Sequence, residues 1–144
     1  MTIKPLGFLN NFGIGLKACS AMIRGCDKSM RCIWLYIRHG ELGKAQEVLE
    51  ELPKRDVVSW SALIAGYAQH GQGHEALDCF ERMKSEGIHA NVITFICVLN
   101  ACGCAGAIDM GKQIHEEIVI QGLLEKDIVL GNALVDMYAK CSML

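Results

Sequence analysis

Asp56-Val-Val-Ser-Trp-Ser-Ala-Leu-Ile-Ala-Gly-Tyr-Ala-Gln-His-Gly71 is the stretch that decides the fold. Trp60, Leu63, Ile64 and Tyr67 recur at i, i+3, i+4 and i+7, which puts them on one stripe of an α-helix. Ser59 can cap the start of that helix, and Gly71 can end it in a left-handed turn. A second helical stretch follows, from about His74 to Glu86, with Ala76, Leu77, Phe80 and Met83 on one face and Gly87 as its stop. Two apolar stripes joined by a glycine turn form a helical hairpin.

The hairpin repeats along the chain. A shift of 35 residues lays Val57-Val58-Ser59-Trp60 over Val92-Ile93-Thr94-Phe95, Gly71 over Gly106 and Gly87-Ile88 over Gly122-Leu123. A shift of 71 lays Asp56-Val57-Val58 over Asp127-Ile128-Val129 and Tyr67-Ala68 over Tyr138-Ala139. A shift of 102 lays Leu35-Tyr36 over Met137-Tyr138. In the second copy Thr94 takes the capping place. Phe95, Val98, Leu99 and Cys102 form its first stripe, and Ile108, Gly111, Ile114 and Ile118 its second. Small residues at Gly66, Ala76, Ala101 and Gly111 let paired helices approach closely. One hairpin cannot bury both stripes, whereas a stack of hairpins can. The expected fold is therefore all-α, an α-solenoid of stacked antiparallel helix-turn-helix repeats; an ordinary small helical bundle is the plainer alternative.

Composition agrees. Of 144 residues, 51% are hydrophobic, 21% are charged and only two are proline, which suits a globular helical chain. A formal net charge of −2 argues against gripping nucleic acid by bulk electrostatics. The eight cysteines include no C-x-x-C pair, and Cys79, Cys97, Cys102 and Cys141 sit among apolar helical neighbours. That pattern fits reduced, structural thiols in an intracellular compartment, with neither a disulfide framework nor a metal site. No run of apolar residues is long enough to span a membrane. Lys4, Lys17 and Arg24 precede the first acid, Asp27, a bias of the kind organelle transit peptides carry.

The quoted stretch resembles the first helix of a pentatricopeptide repeat (PPR), and Glu75-Ala-Leu-Asp-Cys-Phe-Glu-Arg-Met-Lys-Ser-Glu-Gly-Ile88 resembles the second. Leu99-Asn-Ala-Cys-Gly103 with Gly111-Lys-Gln-Ile-His115 is similar to the longer L variant. Gly131-Asn-Ala-Leu-Val-Asp-Met-Tyr-Ala-Lys-Cys141 is similar to the start of the shorter S variant. The resemblance implies a plant PPR protein of the P-L-S class, short or truncated. Its units would be an S-type repeat at 26–56 with a degenerate first helix, a P-type repeat at 57–91 and an L-type repeat at 92–127. A cut-off S-type repeat at 128–144 would follow, behind an N-terminal segment, 1–25, that is either a weak transit peptide or an eroded L repeat. Phe12, Leu16, Ala18 and Cys19 align with Phe95, Leu99, Ala101 and Cys102, and Met30 lies where the first S unit departs from the pattern.

The resemblance implies sequence-selective binding of single-stranded RNA, an organelle transcript, one base per repeat through two or three side chains. By family pattern the fifth and last residues of a repeat touch the base. In the P unit these are Ser61 and Asn91, a pairing associated with adenine, and Val58 and Ile93 would sandwich the base. The L unit would offer Ile96 and Asp127. Asn132 stands at the fifth place of the last unit, and Asp56 closes the first opposite Met30. Each has a plainer role: Ser61 as a first-turn residue, Asp56 and Asp127 as helix caps, Asn91 as a turn former. Arg82, Lys84 and Lys112 fit a solvated face better than a phosphate rail. At roughly 1–3 kcal/mol per stacked base, two or three bases give an affinity nearer millimolar than nanomolar.

No enzyme is expected and no cofactor is implied. His115-Glu-Glu117 matches half of a zinc-deaminase signature, but no P-C-x-x-C follows. The implied setting is RNA processing or editing in a mitochondrion or plastid, with other PPR or editing-factor proteins as partners and no membrane. Two other readings stay open: a protein-interaction module, and a relic with little RNA affinity.

Overall fold

The computed structural model describes residues 28–142 apart from position 54, with side chains from Arg31 onward. The proposed N-terminal segment, with Lys4, Lys17, Arg24 and the aligned Phe12, Leu16, Ala18 and Cys19, lies outside the described residues, as does the side chain of Met30. The described residues form seven helices and no strand: α1 (Lys28–Arg38), α2 (Leu42–Glu51), α3 (Val57–Gln69), α4 (Gly73–Ser85), α5 (Val92–Ala105), α6 (Ile108–Ile120) and α7 (Ile128–Ser142). The fold is all-α, a helical-repeat solenoid.

Each hairpin turn uses the same device. After α3, Gly71 adopts φ 77°, which costs glycine little. The Gln72 N–H then donates to the Tyr67 carbonyl at 2.8 Å, and the Gly71 N–H donates to Ala68. Two carbonyls left over at the helix end are thereby satisfied. Gly40, Gly87, Gly106 and Gly122 stand at equivalent turns with φ between 68° and 79°.

At the helix starts the plainer reading of Asp56 as a cap holds, and the capping roles expected of Ser59 and Thr94 shift. Asp56, not Ser59, is the N-cap of α3, and Asn91, not Thr94, is the N-cap of α5. Ser59 and Thr94 sit three residues further on, where each closes a reciprocal capping box. The Ser59 N–H donates to Asp56 Oδ1 at 3.0 Å while Ser59 Oγ accepts from the Asp56 N–H. Both members satisfy a backbone donor that the helix start leaves unpaired.

Packing follows the repeat. The first helices α1, α3, α5 and α7 pack each on the next, and α2, α4 and α6 each pack on the first helix before and the first helix after. A helix placed between two repeats is therefore covered on every side: Ser59 through Gln69 of α3 are all buried, beyond the single stripe of Trp60, Leu63, Ile64 and Tyr67. Phe80 and Met83 of α4, Phe95 and Leu99 of α5, and Ile114 and Ile118 of α6 complete a continuous core. Each large buried side chain stabilises by about 1.5–3 kcal/mol relative to its exposed state. In α1, Ile33, Trp34 and Ile37 join that core, so the degenerate first helix still packs as one. Gly66 meets Ile37 across the α1–α3 contact, where a Cβ would stand 2.9 Å from Ile37 Cγ2.

Candidate nucleic-acid interface

Packing α3 on α5 brings their first turns together and joins the two proposed base-reading residues through a third. Ser61 Oγ lies 2.6 Å from Thr94 Oγ1. Thr94 Oγ1 donates to Asn91 Oδ1 at 2.9 Å, and the Thr94 N–H donates to the same oxygen at 2.9 Å. Thr94 Oγ1 also accepts from the Asn91 N–H at 3.2 Å, and in its bond to Ser61 either hydroxyl can donate. Thr94 thereby joins Ser61 to Asn91.

The members differ in access. Ser61 is 1% exposed and Thr94 fully buried, whereas Asn91 is exposed at the surface. Val58 and Ile93, expected to flank a base, are half-buried in the first turns of α3 and α5. At the next junction Asp127 Oδ1 accepts from the Leu130 N–H at 3.1 Å, capping α7. Ile96 is buried there and Leu130 has no hydroxyl, so Asp127 has no polar link to the preceding repeat. Asn132 is exposed on α7, away from any such link. Asp56 caps α3 with Ser59; the side chain of Met30, its expected counterpart, lies outside the described residues.

The basic residues are largely engaged. Arg82 donates to Glu50 at 2.6 Å and lies 5.4 Å from the Trp60 ring centre. Arg55 pairs with Glu86 at 3.0 Å, and Trp60 Nε1 donates to that same carboxylate. The arginines hold Glu50 and Glu86 below the usual carboxylate range, the side-chain hydrogen bond being the largest cause in each case. This clamp ties α2 to α4 and was not visible in the sequence pattern. Lys84 lies over Phe80, 5.1 Å from the ring centre. Lys112 is exposed.

His115, half of the deaminase-like signature, stands edge-on to Tyr138, with Nδ1 2.9 Å from the phenol oxygen. It packs α6 on α7. Among the described residues no group of His, Cys, Asp and Glu could hold a metal ion. Burial pushes the Cys79 and Cys102 thiols up to about 12, so both are neutral and unreactive near pH 7. No described helix is long and apolar enough to cross a membrane.

Comparison with known proteins agrees with this architecture. A PPR repeat family model matches residues 55–104, and a PPR repeat model matches residues 32–57. The chain is similar to the putative pentatricopeptide repeat-containing protein At3g13770, mitochondrial, of Arabidopsis thaliana, at 45% identity over 74% of this chain and 17% of that one. It is also similar to the pentatricopeptide repeat-containing protein At3g09040, mitochondrial, of the same plant, at 33% identity over 99% of this chain and 14% of the relative. A third, the pentatricopeptide repeat-containing protein At4g18520, chloroplastic, is 36% identical over 74% of this chain and 17% of its own length. The chain belongs to the pentatricopeptide repeat proteins. It spans only 14% to 21% of the length of the relatives it matches.

Proposed function

We propose that this chain binds single-stranded RNA, with the junction between α3 and α5 as its base-reading position. The observation that carries this is the coupling of Ser61 and Asn91 through Thr94, beside the half-buried Val58 and Ile93. Asn91 offers a surface amide to a base edge, and the two aliphatic residues offer apolar flanks. The L-type junction, with Ile96 and Asp127, contributes less, because an aliphatic side chain carries no hydrogen-bond code; Asn132 would serve a further unit. Relatives named mitochondrial and chloroplastic support organelle RNA processing or editing as the setting, with RNA as the ligand and other PPR or editing proteins as partners. In this reading the P-L-S order, 57–91 then 92–127, sets which repeats read and which space.

A second reading rests on α7. Ile128 and Val135 are 80% and 70% exposed, yet the residues 71 earlier, Val57 and Ile64, lie half-buried and fully buried. That face fits a further helical hairpin, which favours a role as one section of a longer binding surface.

Fluorescence anisotropy of the folded chain with short RNAs, single- and double-stranded, at two salt concentrations tests the proposal. Binding to single strands, weakened by Ser61→Ala and by Asn91→Ala, supports it. Asn91→Ser keeps a capping oxygen and separates lost readout from lost helix. A folded chain that binds no RNA removes it.

A further inference from the structure

First helices of successive repeats meet each time through the same two half-surfaces. On α3 the half that meets the next repeat is Val57, Ser61, Ile64 and Ala68. Ser61 Oγ lies 2.6 Å from Thr94 Oγ1, and the Ala68 carbonyl accepts from the Cys104 thiol at 3.8 Å. On α5 the same places hold Val92, Ile96, Leu99 and Gly103. Gly103 lies against α7: a Cβ there would stand 3.1 Å from Lys140 Cδ and 3.7 Å from Met137 Cα. The half that meets the preceding repeat runs through Gly66, Ala101 and Met137. Gly66 meets Ile37, the Ala101 carbonyl meets Gly73, and Met137 meets Gly103. All three are buried.

Both halves recur, exposed, on the two outermost first helices described. On α7 the four places of the first half hold Ile128, Asn132, Val135 and Ala139, and all four are exposed, Ile128 by 80% and Val135 by 70%. On α1 the place of Met137 in the second half, 102 residues earlier, holds Leu35, which is 53% exposed. We propose that these two faces bind each other between copies of the chain: α7 of one copy packs on α1 of a second, head to tail, as α5 packs on α7 within one copy. Leu35 of the second copy would then lie on Ala139 as Met137 lies on Gly103, a large side chain on a small one. The contact continues an interface that the chain already makes twice, α3 on α5 and α5 on α7. Because the two faces differ, it is heterologous: each pairing leaves one face of each copy open, and the assembly grows copy by copy. No RNA enters the proposal, which stands apart from the RNA-binding reading.

The test is sedimentation equilibrium of the full chain over a concentration series, without RNA. The wild type is expected to rise above the 15.8 kDa of one copy and to keep growing past two copies. Leu35→Glu and Val135→Glu each put an unpaired carboxylate into the contact and are expected to weaken association at least about tenfold. Mixed in equal amounts, the two variants are expected to associate again and to stop at two copies, because Leu35→Glu keeps the α7 face and Val135→Glu keeps the α1 face. Circular dichroism establishes that each variant is folded; Leu35→Ser and Val135→Ser take their place where a glutamate unfolds the chain. A wild type that stays at one copy up to about 1 mM overturns the proposal. A Leu35→Glu chain that still forms dimers overturns it too, since α7 would then be pairing with α7. So does a mixture of the two variants that stays at one copy while the wild type associates.

Discussion

Gly73, at the first turn of α4, approaches the backbone of Ala101 so closely that a Cβ would stand 2.8 Å from its carbonyl oxygen and 3.0 Å from the Ala105 nitrogen. The contact joins one repeat to the next, and backbone cannot step aside as a side-chain tip can. Gly73→Ala should destabilise the fold by about 1–3 kcal/mol, the usual cost of overpacking. Urea denaturation monitored by circular dichroism measures it; an unchanged midpoint would mean that this approach is looser than described.

Ile64 and Val135 occupy corresponding places 71 residues apart, but Ile64 is fully buried and Val135 is 70% exposed. Ile64→Ala should cost about 2–5 kcal/mol through lost burial and a residual cavity. Val135→Ala should stay within about 0.5 kcal/mol. The pair isolates the effect of having a neighbouring repeat from that of residue type, and thermal melts of both variants decide it.

The clamp between α2 and α4 predicts a dependence on pH and salt. Glu50 and Glu86 have depressed folded-state pKa values, so their stabilisation is present above the ordinary glutamate range and is lost as pH falls through their lower folded values. Stability should therefore drop as pH goes below about 4. These pairs are partly solvated, so Arg82→Ala should cost about 1 kcal/mol or less, even with its contact to Trp60 included. High salt should shrink that difference. Midpoints across a pH series at two salt concentrations test both statements.

Thiol chemistry should divide the cysteines. Cys79 and Cys102, buried and with pKa values pushed up to about 12, should resist iodoacetamide at pH 7.5 in the folded chain and react once urea unfolds it. Cys104 is exposed and should be alkylated before them. Peptide mass spectrometry gives the order.

The hairpins were legible because their signals are local: a stripe at helical spacing, then a glycine able to take positive φ. The turns at Gly71 and Gly106 needed nothing from elsewhere in the chain. Asp56 and Ser59, or Asn91 and Thr94, are both of capping type, and only the backbone decides which stands first: Asp56 takes the capping role that its plainer reading gave it, and Ser59 and Thr94 stand three residues inside their helices. The burial of Ser61 was hidden for another reason. It depends on Thr94, 33 residues away, and on α3 lying between two repeats. The link from Arg82 to Glu50 spans 32 residues and was hidden likewise. The family resemblance paired Ser61 with Asn91; packing supplied Thr94, the residue that connects them.

The central claim, that RNA lies along the first turns of α3, α5 and α7, is tested most directly by photo-crosslinking. A short single-stranded RNA carrying a photoreactive base would be crosslinked to the folded chain, and the modified peptides mapped by mass spectrometry. The expected result is crosslinks within 57–61, 91–96 and 127–132, reduced by excess unlabelled RNA. Crosslinks confined to α2, α4 and α6, or none from a folded chain at saturating RNA, would contradict the account.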